Sequence, residues 1–109
     1  MWIPTELNEK EMKSLGMKIS AKDIFNPDKA SIKDAVVQFD GGCTAEIISP
    51  KGLLLTNHHC GYDNIQSHST VENDLLTNGF WAKDMTGELP NPGVTVDFIT
   101  DIKEVTSQI

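Results

Sequence analysis

The residues with the most chemistry in this chain are consecutive: Thr56, Asn57, His58, His59 and Cys60 place two imidazoles beside a thiol. One more cysteine, Cys43, and one more histidine, His68, complete the set. Three kinds of chemistry fit these residue types. Both histidines can be hydrogen-bonding residues at a strand end with no further role. Cys43, His58 or His59, Cys60 and His68 can be nitrogen and sulfur ligands of tetrahedral zinc. Structural zinc sites usually draw ligands in close pairs such as C-x2-C, whereas here they are either adjacent or far apart, which argues against the metal. The third reading joins the two sulfurs and leaves an imidazole to act as a general base.

That third reading depends on the elements carrying the sulfurs. Ser49, Pro50, Lys51 and Gly52 suit a type I turn, with proline second and glycine fourth. Residues 43–49 and 53–57 flank it as the two arms of a hairpin. A register about Pro50 and Lys51 sets Cys43 opposite His58, with Cys60 two residues further on. Diagonal neighbours on a ladder are about 7 to 8 Å apart, slightly beyond disulfide reach, so a bridge requires the chain to curl just after Asn57. A bridge there would close a loop of about 16 residues and contribute about 3 kcal/mol in the chain-entropy reading, while clamping the curl that carries His59.

Around the hairpin, residues 1–34 read as a helical lead-in. Thr5 is an expected N-cap, Leu7, Met12 and Leu15 form an irregular apolar stripe, and Gly16 is a stop. Ser20 with Asp23 marks a second start that Asn26 and Pro27 soon end. Residues 35–39 are rich in β-branched and aromatic types and read as a strand, followed by a turn at Asp40, Gly41 and Gly42. Beyond Cys60 the chain is polar, with no regular element expected before residues 71–77, a short helix that Asn78 and Gly79 cap. Phe80 and Trp81 are expected to pack just past it. Leu89 to Gly93 is a turn, and Val94, Val96 and Phe98 alternate as a half-buried strand does. Neither repeat nor linker divides the chain, so residues 1–109 form one unit.

Composition narrows the function. Nine Lys and Arg against 16 Asp and Glu give a net charge of -7, which opposes the phosphate neutralisation that nucleic-acid binding needs. No run approaches the roughly 20 apolar residues of a membrane helix. Residues 1–4 lack the basic and apolar regions of a signal peptide, so either the protein is cytosolic or a signal has been removed.

Together, Gly41-Gly42-Cys43-Thr44, Thr56 to Tyr62, Ile65 to Thr70, Asn78 to Ala82 and Leu89 to Gly93 resemble the bacterial dipeptidyl-peptidase 7 and 11 family of serine exopeptidases, over nearly the whole chain. A histidine directly before a cysteine bridged to the preceding strand is similar to the chymotrypsin-clan arrangement, although Asn57 and His58 stand where small residues are usual. The resemblance implies a mainly β fold, part of a chymotrypsin-like barrel with short flanking helices. Residues 1–34 would be the lead-in and 35–109 the barrel strands of an amino-terminal part of the catalytic domain. It implies His59 as the triad histidine, a Cys43–Cys60 disulfide, peptide substrates with a free amino terminus, and neither cofactor nor metal. It also implies a periplasmic, cell-surface or secreted location after signal removal. The family's serine and aspartate lie further downstream, so this segment alone is expected to be inactive.

Other residues take plainer roles. Asp101 follows His59 at a spacing familiar from trypsin-like enzymes, but its Ile99, Ile102 and Val105 pattern turns it to solvent. Ser49, Ser67 and Ser69 read as cap or loop hydroxyls rather than nucleophiles. His58 should point away from His59 if the strand persists, and His68 is structural. Trp2, Phe80 and Trp81 are packing residues before they are cleft residues. An open sheet edge is expected to pair with a second copy, giving a homodimer. The competing class is a non-enzymatic, disulfide-containing periplasmic binding or structural module.

Overall fold

The computed structural model describes residues 3–108; Trp2 lies outside them. Pro4–Glu6 forms a 3-10 turn, with proline where a first N–H needs no partner. That turn absorbs Thr5, so the cap falls to Asn8, whose Oδ1 accepts the Glu11 N–H at 3.2 Å to start helix α1, Glu9–Ser14. Gly16, at φ +107, ends it. The capping box at Ser20 and Asp23 starts helix α2, Ala21–Ile24, as the sequence indicates, and Phe25 leaves it in extended conformation ahead of Asn26 and Pro27. Ser31 and Asp34 repeat the device on a 3-10 turn, Ile32–Ala35, that feeds the first strand.

Four short strands follow: β1, Val36–Phe39; β2, Cys43–Ile47; β3, Leu54–Thr56; and β4, Val96–Phe98. They form one antiparallel sheet in the order β3-β2-β1-β4. Asp40 at φ +49 and Gly41 at φ +72 turn the chain from β1 to β2, a conformation that Asp tolerates and Gly takes freely. In the hairpin, Gly52 N–H donates to Ser49 C=O at 3.1 Å. The pairs Ala45–Thr56, Glu46–Leu55 and Ile47–Leu54 give the register read from the sequence.

Among the described residues the sheet stays open, with β3 and β4 as its edges, and does not close into the barrel the sequence suggested. Its core is small: Val37 and Ala45, cross-strand neighbours, are buried with Leu75. Two regions depart from the sequence reading. Residues Tyr62–Ser67, read as irregular, form helix α3. Helix α4 covers only Leu75–Asn78, because Asp74 rather than an earlier residue takes the free N–H groups of Leu76 and Thr77, at 3.0 and 3.2 Å. Gly79 ends α4 at φ +74. Phe80 and Trp81, expected to pack, are 50% and 90% exposed, and Val96 and Phe98 are exposed rather than half-buried.

The chain is therefore extended for its length. Its radius of gyration is 18.4 Å, against about 13 Å for a self-contained domain of this size. Its accessible surface is 8975 Å², against about 6,000 Å² for a compact monomer. The excess, about 3,000 Å² on one chain, is well above the roughly 800 Å² that each partner gives up in a standard interface.

Candidate functional site

The corner after β3 carries the chemistry. Strand pairing stops at Thr56, whose Oγ1 donates to Thr44 C=O at 2.9 Å and ties the end of β3 to β2. The backbone then turns: Asn57 is extended at φ -78 and ψ 148, and a 3-10 turn, His58–Gly61, begins with Cys60 N–H donating to Asn57 C=O at 3.0 Å. This is the curl a bridge requires, and Cys43 and Cys60 are joined across it with their Cα atoms 6.0 Å apart. The turn runs directly into α3. His59 is thus held from two sides, by the covalent tie of its neighbour Cys60 to β2 and by the helix behind it. Its ring is exposed.

His58 occupies the same turn, so the alternation of a strand, which would have opposed it to His59, does not apply. Its ring instead stands edge-on to Tyr62 of α3, with centroids 5.9 Å apart and planes at 78°. That contact ties the exposed His58 ring to α3. His68, at the far end of α3, lies within 3.0 Å of Pro90 C=O and 3.2 Å of Asn91 Oδ1 through Nε2, a structural tie between α3 and the loop leading to β4.

Ligand atoms of Cys43, His59 and Cys60 do lie within 4.8 Å of one another. Both sulfurs are bonded to each other, however, and a metal ligand must be a thiolate. His58 and His68 are not part of that cluster. The serines behave as hydroxyls of turns and helix ends. Ser49 Oγ accepts from Lys51 and Leu53 N–H, Ser67 Oγ donates to Asn64 C=O, and Ser69 Oγ donates to Ile65 C=O while accepting Leu75 N–H. Asp101 pairs with Lys103 at 3.0 Å on an exposed segment. The carboxylates with lowered pKa values are elsewhere. Thr77 and Thr86 hydroxyls, joined by backbone N–H groups, hold Asp74 and Asp84 below the usual aspartate range as caps. Both imidazoles of the corner are exposed; what sets His59 apart is its place directly before the bridged Cys60, whereas His58 stands against Tyr62.

Sequence reasoning missed α3, the element behind His59. Tyr62 and Ile65 stand at i and i+3 with Asp63 in the first turn, a short helical signal. A cleft of ≈ 340 Å³ between α3, α4 and the 80–91 segment, with Ile65, His68, Leu75 and Phe80 in its walls, was equally invisible, since residues distant in sequence form it.

Known proteins are similar to this chain along nearly all of its length. An Asp/Glu-specific dipeptidyl-peptidase of Flavobacterium psychrophilum is 62% identical over all of the chain, which covers 16% of that protein. Dipeptidyl-peptidase 7 of Phocaeicola vulgatus is 52% identical, again over all of the chain and 16% of its own length. The crystal structure of Porphyromonas endodontalis DPP11 in complex with substrate superposes with a TM-score of 0.90 at 52% identity, covering 99% of this chain and 16% of that one. The chain thus spans about one sixth of these relatives. The family profile of peptidase S46 matches residues 1–109, and the chain belongs to that family.

Proposed function

We propose that this chain supplies the general base, His59, to a serine-type dipeptidyl-peptidase that releases dipeptides from the free amino terminus of peptides. The observation that carries the reading is the mount of His59: an exposed imidazole on a turn that the Cys43–Cys60 bridge pins to the sheet. A general base must be held where it meets its nucleophile, and must be open on one side to receive the proton. In the reaction His59 takes the proton of a serine hydroxyl as it attacks the peptide carbonyl, then returns it to the leaving amine. The serine, the carboxylate that orients the imidazole and the oxyanion donors come from the rest of the polypeptide.

The open sheet supports the same division. Residues 35–109 are the first strands of a chymotrypsin-like barrel, and residues 1–34 its lead-in; later strands pair with β3 and β4. Made alone, the segment joins copies through those edges as a dimer. The bridge supports an oxidising compartment: periplasm, cell surface or exterior. Relatives described as Asp/Glu-specific reach 62% and 57% identity, which supports a preference for an acidic residue at the cleaved position.

The test is hydrolysis of dipeptidyl substrates with and without an acetylated amino terminus. The whole protein should release dipeptides only from free termini, and faster after Asp or Glu than after apolar residues. Residues 1–109 alone should read as buffer. Equal turnover of acetylated substrates would overturn the exopeptidase reading, and turnover by the isolated segment would mean that it holds a complete site.

A further inference from the structure

The corner that holds His59 also holds the makings of a second chemistry. Cys43 Sγ, Cys60 Sγ and one ring nitrogen of His59 lie within 4.8 Å of one another. In tetrahedral zinc, with Zn–S near 2.3 Å and Zn–N near 2.0 Å, neighbouring ligand atoms stand about 3.5 to 3.8 Å apart. The ligands come from two fixed pieces of backbone. Cys43 begins β2, held by its ladder to β1, while His59 and Cys60 follow one another on the 3-10 turn. With Cα atoms of the two cysteines 6.0 Å apart, parting the sulfurs to that spacing needs side-chain rotation and no movement of the sheet. Cys43 and Cys60 are half-buried and His59 is exposed, so the cluster is open to a small reductant and a cation from solvent. Only the disulfide bond stands between this cluster and a metal site.

We infer that reduction of the Cys43–Cys60 bridge converts it, with His59, into a binding site for a thiolate-seeking divalent cation of the zinc class, which sequesters the imidazole. A dithiol gives up two electrons and two protons and becomes a disulfide; the Sγ–Sγ bond breaks, and each sulfur leaves as a thiol. The cation then forms two metal–sulfur bonds and one metal–nitrogen bond, releases the two thiol protons to solvent, and keeps a water as fourth ligand. The ring nitrogen bound to the metal has no lone pair left for a serine proton. For its effect on turnover, though not for the binding itself, the inference rests on the assignment of His59 as the base.

The test uses the full-length protein, oxidised and after reduction with a phosphine, titrated with Co²⁺ alone and read by absorbance. The reduced protein should develop a thiolate-to-cobalt charge-transfer band that the oxidised protein lacks. His59→Ala should weaken Co²⁺ by at least the 10- to 100-fold that loss of an outer-shell partner costs, and a Cys43→Ser, Cys60→Ser double variant should show no band. Zn²⁺ should silence the reduced enzyme, a chelator should restore it, and the oxidised enzyme should be indifferent at the same concentrations. A reduced protein without the band, or with a band unchanged in His59→Ala, overturns the inference and leaves the assignment of the base intact. A band that depends on His59, with turnover untouched by bound Zn²⁺, upholds the site and overturns the base.

Discussion

The corner at residues 56–67 and the stretch from Phe80 to Val105 are built on opposite terms. The corner is specified by bonds it makes itself: a hairpin register, the Thr56–Thr44 hydrogen bond, a covalent bridge and a helix that continues the turn. The later stretch leaves Phe80, Trp81, Met85, Phe98, Ile99 and Val105 exposed, and β4 is its one strand on the sheet. Apolar groups stay in water at a cost of about 25 cal/mol per Å². The contrast teaches that position and closure are separate problems. A short segment can fix an imidazole with local bonds while another part of the same segment leaves its apolar surface uncovered.

The largest effect that can break this contrast lies at Trp81. In the isolated segment, where it is 90% exposed, Trp81→Ala should change stability by less than about 0.5 kcal/mol. In the whole protein the same substitution should cost about 3 to 5 kcal/mol, measured by denaturant unfolding. Equal, small effects in both would show that nothing covers the later stretch. Leu75→Ala sharpens the comparison from the other side: this buried residue should cost about 2 to 5 kcal/mol in either setting.

Next in size is the bridge. Thiol titration of unreduced, denatured protein should find no thiols, and replacing both cysteines by Ala should cost about 3 kcal/mol and slow turnover as the turn loosens. Two reactive thiols would remove the clamp from the account. The smallest effect is at acid pH. Asp74 and Asp84 have folded pKa values below their unfolded ones, because hydroxyls and backbone N–H groups bind the charged form. Their contribution is complete above the ordinary aspartate range and lost as pH falls through the folded values. Asp74→Asn should therefore melt earlier than the parent at neutral pH, and the gap should narrow below about pH 4.

How far the sequence reveals this depends on how local the determinant is. The register across Pro50 and Lys51, the Ser20–Asp23 box and the need for a curl after Asn57 are all decided within a few residues, and all are legible. The cap at Asn8 is not, because Pro4 draws Thr5 into a turn of its own. Helix α3 is obscured by its polar composition, with Tyr62 and Ile65 its only large apolar residues. The expected packing of Phe80 and Trp81 is incomplete among the described residues: Phe80 lines the cleft beside Leu75 but stays half exposed, and Trp81 is almost wholly in solvent. Of the site, the bridge and the curl that carries His59 were legible; the edge-on contact of His58 with Tyr62 was not, since it required knowing that the strand stops at Thr56.

The most direct measurement compares His59→Ala with His58→Ala in the full-length enzyme, each with a melting curve beside its kinetics. His59→Ala should lose about 10⁴ to 10⁶ in kcat with its fold intact. His58→Ala, which gives up the contact with Tyr62, should lose about 1 kcal/mol of stability and keep kcat within about tenfold of the parent. A well-folded His58→Ala that is inactive, beside a His59→Ala that turns over normally, would contradict the assignment of the base and with it the role given to the bridge.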